Sequence, residues 1–197
     1  MKILIILANP NKKSFCKAIA KTSENALKKK GCTVIVHDLY KEKFPPVMPE
    51  GEDKRNTKLP AIIKKYCKEM QEADGIIIVH PNWWGMPPAI LKGWIDRVVR
   101  AGVAYKFTEG DKGEGVPVGL LKAKTAIVFN TSNTKPAREK KVFKDPLETL
   151  WKNCVFGLCG VKNFYRKTYG VIVTSTPEQR KRWLRDVEQA VNKKFLG

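Results

Sequence analysis

The chain has 197 residues, with 38 Lys and Arg against 19 Asp and Glu, and a formal net charge of +19. At 43% hydrophobic and 29% charged residues, its composition excludes a disordered tail protein and a collagen-like one, and its length predicts one domain over residues 1–197. The apolar stretch Ile3 to Ala8 is far below the roughly 18 residues a membrane span needs, and Pro10, Asn11 and Lys12 follow too soon for a signal peptide. The five cysteines (Cys16, Cys32, Cys67, Cys154 and Cys159) are odd in number with no C-x-x-C pair. Neither a disulfide framework nor a zinc site is expected, and the setting reads as reducing and cytoplasmic.

Lys2 to Ala8 is an apolar run of strand length, of the kind buried on both faces in a parallel sheet. After the loop Asn9 to Lys13, Ser14 can cap a helix with Phe15, Ala18, Ile19, Ala26 and Leu27 at helical spacing, and Gly31 stops it. A second strand runs Cys32 to His37. The Pro-rich segment Asp38 to Lys58 is a long loop. Pro60 opens a helix with Ile62, Ile63, Tyr66, Met70 and Ala73 on its apolar face, and Ile76 to Val79 is a third buried strand.

The loop His80 to Pro88 leads to a helix over Ala89 to Ala101, and the loop Gly102 to Lys122 to a strand over Thr125 to Phe129. Asp145-Pro146-Leu147-Glu148 looks like a capping box for a helix reaching about Leu158. Strand residues fall within Val161 to Val173, and Thr176-Pro177-Glu178-Gln179 opens the last helix. Five strands alternating with five helices predict an α/β fold with an open parallel sheet covered on both faces. Its ligands bind at the carboxyl ends of the strands, where strand order reverses. The loops Asn9 to Lys13, His80 to Pro88 and Asn130 to Lys135 all fall there.

Asn9 to Phe15 joins a strand to a helix N-terminus, where free N–H groups, the helix dipole, Ser14 and the charges of Lys12 and Lys13 favour a phosphate. The same residues read equally as an ordinary turn with solvated lysines, and no P-loop pattern is present. Trp83 and Trp84 stand side by side in a loop stiffened by Pro81, Pro87 and Pro88. Neighbours cannot easily face one side, so exposed aromatic surface, suited to stacking a planar ligand, is expected. Gly113 to Gly119 reads as a flexible surface loop, His37 and His80 as structural, and Cys16 as a small buried thiol. No metal site is expected.

The residues Ala8-Asn9-Pro10, Ser14-Phe15, Pro81 through Val98 and Gly102-Val103-Ala104-Tyr105 together resemble the flavodoxin-like NAD(P)H:quinone oxidoreductase family, and with the Thr176-Pro177 helix start the likeness spans nearly the whole chain. The resemblance implies a flavodoxin-like three-layer sandwich with strand order 2-1-3-4-5. It implies a flavin held by Asn9, Ser14 and Phe15 at its phosphate, with Cys16 where many relatives have Asn. Pro81, Asn82, Trp83, Trp84 and Gly85 border the ring, and Asn130, Thr131, Ser132 and Asn133 lie across its polar edge. It further implies a homodimer with the site at its interface, where Tyr105 and Phe107 join Trp83 from the partner chain to bind substrate.

Two departures stand out. Asn130-Thr131-Ser132-Asn133 replaces the Thr-Thr-Gly-Gly of mammalian members, and Ala137 and Phe143 align with their Tyr and His. Lys135 or Arg138 is left to supply positive charge near the ring. The expected activity is hydride transfer from NADH or NADPH through flavin to a quinone or similar electrophile, with FMN favoured over FAD on chain length and no side chain assigned as catalytic. The alternatives are a flavin electron carrier or regulatory subunit of a membrane transporter, and a basic nucleic-acid module. The last calls for aromatics interleaved with lysines, whereas Lys28-Lys29-Lys30, Lys140-Lys141 and Arg180-Lys181-Arg182 read as solvated helix faces.

Overall fold

The computed structural model describes every residue except 55–56, 109, 111–114 and 196–197. In chain order the elements are β1 (Lys2–Leu7), α1 (Phe15–Lys29), β2 (Thr33–Asp38), α2 (Ala61–Glu72), β3 (Gly75–Pro81), α3 (Ala89–Val98), β4 (Tyr105–Lys106), β5 (Val118–Gly119) and β6 (Thr125–Ser132). Then follow α4 (Pro136–Phe143), α5 (Pro146–Thr149), a π-helical segment (Leu150–Gly157), β7 (Asn163–Gly170) and α6 (Pro177–Phe195). Five strands form one parallel sheet in the order β2-β1-β3-β6-β7. This is the expected 2-1-3-4-5 arrangement once the small antiparallel pair β4–β5 is set aside.

Every residue of β3 and β6 is buried, because helices cover both faces of the sheet. Successive side chains of a strand point to opposite faces, and the apolar runs divide accordingly. Leu4, Ile6, Ile76, Ile78, Ala126 and Val128 pack toward α2, α3 and the π-helical segment. Ile3, Ile5, Ile77, Val79, Ile127 and Phe129 pack toward α1 and α6. The chain winds outward from β1 to β2 and returns to place β3 on the other side of β1, so the reversal of strand order lies between β1 and β3.

The long loop after β2 is fastened to α3 by a buried pair. Arg97 donates from Nε and Nη2 to the two carboxylate oxygens of Glu52, at 2.6 Å each, and from Nη1 to the Pro45 carbonyl. Next to it the backbone comes close: a Cβ on Gly93 would lie 2.2 Å from the Pro46 carbonyl oxygen.

The second half of the chain departs from the sequence expectation in four places. Asp145 holds the N-cap position of α5, as expected, but does not cap it with its side chain. It lies in the left-handed region at φ 52° with no capping hydrogen bond, and its carboxylate pairs with Arg166 instead. The helix expected to run to Leu158 is the single turn α5 followed by the π-helical segment. Pro136–Phe143 is an additional helix whose only buried side chain is Glu139, so no apolar stripe announced it. Of the expected loop Gly113 to Gly119, Gly113 and Glu114 lie outside the described residues, while Val118 and Gly119 form β5. No helix among the described residues is long and apolar enough to cross a membrane.

Candidate functional site

The carboxyl edge of the sheet brings three loops together. Asn9 Oδ1 accepts from the Asn11 N–H at 2.9 Å, and Asn11 Oδ1 from the Lys13 N–H at 2.8 Å. Two successive side-chain turns thus shape the first loop and deliver Ser14 to the N-cap of α1, where its hydroxyl accepts from the Lys17 N–H. The N–H groups of a first helical turn have no intrahelical acceptor. Pro81 pairs with Thr131 across β3 and β6, and the Asn82 N–H donates to the Thr131 carbonyl at 2.7 Å. Between these loops lies a cleft of about 360 Å³, walled by Asn9, Asn11, Lys13, Ser14, Phe15, Pro81, Asn82, Trp83, Thr131, Ser132, Asn133, Ile172 and Arg180. It holds two cations and no carboxylate, so its electrostatics favour an anion.

The tryptophan loop is a tight reverse turn. Trp83 and Met86 exchange backbone hydrogen bonds at 3.1 and 2.9 Å, and the two central residues, Trp84 and Gly85, both have positive φ, 56° and 74°. That is the type I′ pattern. Glycine adopts it freely, and a Cβ on Gly85 would also strike Pro146 at 2.7 Å. Tryptophan adopts it under strain. Trp84 is fully exposed and Trp83 is 43% exposed, so the expected aromatic surface is present.

Beside the first cleft, and sharing Asn82, Trp83, Ser132 and Asn133 with it, opens a larger cavity of about 710 Å³. Its far side is made by Trp84, Gly85, Thr134, Arg138, Glu139, Phe143 and Pro146. Glu139 is its one carboxylate, and that group is occupied: Thr134 Oγ1 donates to Oε1 at 2.5 Å and Asn82 Nδ2 to Oε2 at 3.2 Å. Asn82 Oδ1 in turn accepts from the Gly85 N–H at 2.9 Å. The chain of bonds ties α4 to the tryptophan turn.

Behind the wall is a buried polar network. His80 donates from Nδ1 to the Pro81 carbonyl at 2.8 Å, which leaves Nε2 to accept from Trp151 Nε1 and from Asn130 Nδ2, both at 2.9 Å. The ring is therefore neutral. Its pKa is pushed down to about 4, by burial first and by the Arg166 charge as well. Asn130 Oδ1 accepts from Arg166 at 2.8 Å, and Arg166 also reaches Glu148, Asp145 and Thr168. On the opposite side, Cys16 Sγ lies 3.1 Å from Thr131 Oγ1. Burial raises the Cys16 pKa, so it is an inert thiol there.

A family model described as flavodoxin-like fold matches residues 1–193. The chain belongs to the flavodoxin-like fold family. Within it, the chain is 35% identical over 202 residues to an uncharacterized NAD(P)H oxidoreductase of Haemophilus influenzae, covering 100% of this chain and 97% of that protein. It is 32% identical over 203 residues to the ribosyldihydronicotinamide dehydrogenase [quinone] of Mus musculus, covering 91% and 86%. Among solved structures, Smu.1420 from Streptococcus mutans UA159 superposes with a TM-score of 0.84 at 32% identity, over 98% of this chain and 100% of that one.

On this flavodoxin-like frame, most residues singled out in the sequence converge on the two connected cavities. Asn9, Ser14, Phe15, Pro81, Asn82, Trp83, Thr131, Ser132 and Asn133 line the first, and Trp84 and Gly85 the second. Two do not reach the wall: Cys16 and Asn130 are fully buried behind it, in the contacts given above. Tyr105 and Phe107 stand apart, at small separate hollows beside Ala101. Arg180 corrects the reading of its basic run as solvated. It is half-buried, donating from Nε to Ser175 Oγ and from Nη2 to the Ile172 carbonyl, and lines the first cleft. Arg180, Glu139 and Thr134 carried no motif signal, because only the tertiary approach of α4 and α6 brings them to the loops. Among the described residues no group of three or more His, Cys, Asp or Glu is placed to hold a metal ion.

Proposed function

We propose that the chain is an NAD(P)H-dependent flavin oxidoreductase that binds FMN and reduces quinones or similar electrophiles, with the balance NAD(P)H + H⁺ + quinone giving NAD(P)⁺ + hydroquinone. The observation that carries this reading is the pair of connected cavities at the strand-order reversal. One is free of carboxylates, cationic and capped by a helix N-terminus; the other is aromatic. FMN fits this set. Ser14, Lys13, Arg180 and the first turn of α1 form one anion-binding end, matching a single phosphate, and Pro81, Asn82, Trp83 and Thr131 to Asn133 form a slot for a planar ring. When bound, the flavin supplies a two-electron carrier between donor and acceptor.

The protein's own part is orientation and exclusion of water. The Thr134–Glu139–Asn82–Gly85 chain holds the tryptophan turn at a set distance from α4. The neutral His80 network holds the ends of β3 and β6 beneath the ring slot. Donor and acceptor both need the larger cavity, so they use it in turn, which makes the kinetics ping-pong. Tyr105 and Phe107 line hollows other than that cavity, so the substrate-binding role proposed for them requires a second copy. Exposed Phe107, Val116, Val118 and Leu120 supply apolar surface for such a homodimer. Five free cysteines suit a reducing, cytoplasmic setting.

The test is the visible absorbance spectrum of the purified protein, followed by anaerobic addition of NADH or NADPH and identification of the flavin released on denaturation. A bound flavin that bleaches on addition and recovers with quinone is the expected result. A flavin reduced by neither nucleotide favours the carrier or regulatory alternative, and failure to bind flavin overturns the reading.

A further inference from the structure

Of the two cations the sequence offers near the ring, Lys135 is not in the lining of the larger cavity, whereas Arg138 is its one cationic side chain. It is exposed on α4, with its guanidinium 6.0 Å from the centroid of the Phe143 ring. A guanidinium resting on an aromatic face keeps its N–H edge free for a second partner. Among the described residues no carboxylate or carbonyl takes that edge. Glu139, its neighbour and the only acid in the cavity, already accepts from Thr134 and Asn82. The cavity thus presents an uncommitted, bidentate cation within reach of whatever stacks between Phe143 and the tryptophan turn.

We propose that Arg138 makes the acceptor site selective for aromatic electrophiles that carry an anionic substituent, a carboxylate or sulfonate on the ring system, bound by the guanidinium as a forked ion pair. The proposal rests on the oxidoreductase reading and deepens it. The acceptor is the partner indicated, rather than the nucleotide donor. Arg138 lies in the wall of the aromatic cavity itself, where the donor places its nicotinamide, and that ring bears a neutral carboxamide. The donor's phosphates lie beyond the ribose, away from the stacking position. The electron balance is unchanged, since the substituent is bound and not transformed.

The test compares kcat/KM for a neutral naphthoquinone with that for a naphthoquinone sulfonate, using NADH as donor, in the FMN-loaded protein and in Arg138→Gln, Arg138→Lys and Arg138→Glu. The expected result is an anionic-over-neutral ratio above one in the parent. That ratio falls at least tenfold in Arg138→Gln, further in Arg138→Glu, and is partly retained in Arg138→Lys. Lys141→Gln, which removes the same charge from α4 outside the cavity lining, leaves the ratio within twofold. An equal fall for both acceptors in Arg138→Gln overturns the proposal by showing a merely structural role. An equal shift of the ratio in Lys141→Gln overturns it in favour of a diffuse field. A loss that tracks the donor, seen as NADH against a phosphate-free dihydronicotinamide, reassigns Arg138 to the nucleotide and also overturns it. Absence of flavin reduction by any donor is a different result, and it sinks the oxidoreductase reading itself.

Discussion

His80 has no contact with solvent, and its neutrality in the fold has a measurable consequence. Its pKa is about 4 in the folded protein against an ordinary 6.5. The unfolded chain therefore binds a proton first as pH falls, and stability that is complete above pH 6.5 is lost progressively toward pH 4. That difference corresponds to about 3 kcal/mol. Urea midpoints measured across this window should fall in the parent and fall less in His80→Gln, which cannot titrate. Trp84 poses the opposite question, a large side chain held at φ 56° in open solvent. Left-handed backbone costs an ordinary residue roughly 1–2 kcal/mol, and glycine's extra unfolded-state freedom offsets about half of that. Trp84→Gly should leave unfolding free energy within about 1 kcal/mol of the parent or above it, while acceptor KM rises several-fold in steady-state assays. That pair of outcomes would assign the strain at Trp84 to the proposed site and not to stability.

At the scale of elements, α1 is held at its start by Ser14, and the proposed function gives the same residue a ligand to hold. Ser14→Ala should cost about 1 kcal/mol in stability, and in flavin titrations it should weaken FMN by roughly tenfold, the size of one charge-assisted hydrogen bond. The loop after β2 depends on a different device. Arg97 and Glu52 are 3% and 5% exposed, so removing one leaves the other charge buried and unpaired. Glu52→Gln should lose about 3–5 kcal/mol, and the double change Arg97→Met, Glu52→Leu should recover much of it, both read from denaturation midpoints. The π-helical segment has its own role, because it carries Trp151 onto His80 at 2.9 Å. Insertions of this kind in helices gather near functional sites.

For the molecule as a whole, the charge of +19 sets the conditions under which anionic ligands arrive. Lys135, Lys140, Lys141 and Lys144 are exposed around α4 without a carboxylate partner among the described residues. At low ionic strength this field should raise the encounter rate with NADPH. kcat/KM for NADPH should fall several-fold as salt rises from about 10 to 200 mM, over which the Debye length shrinks from about 30 Å to under 10 Å. A neutral quinone should show no such slope. Sedimentation of the flavin-loaded protein tests the homodimer, which leaves Tyr105 and Phe107 without a role if the protein is monomeric.

The architecture was legible in the chain because buried parallel strands announce themselves. Ile3 to Ala8, Ile76 to Val79 and Ala126 to Phe129 are unbroken apolar runs, and Ser14, Pro60 and Thr176 mark helix starts through local backbone chemistry that needs no distant partner. The first loop and the tryptophan loop were legible for the same reason. What escaped were features with no local signature. The helix α4 buries one polar residue and so shows no apolar period, and Asp145 looked like a cap until Arg166, 21 residues away, claimed its carboxylate. Arg180 looked solvated because α6 is highly charged, yet packing turns that one guanidinium inward. Side chains that meet across the sheet edge are chosen by the approach of whole helices, and that approach is set by burial of the core, so only the tertiary structure decides which cations, aromatics and amides share a cavity.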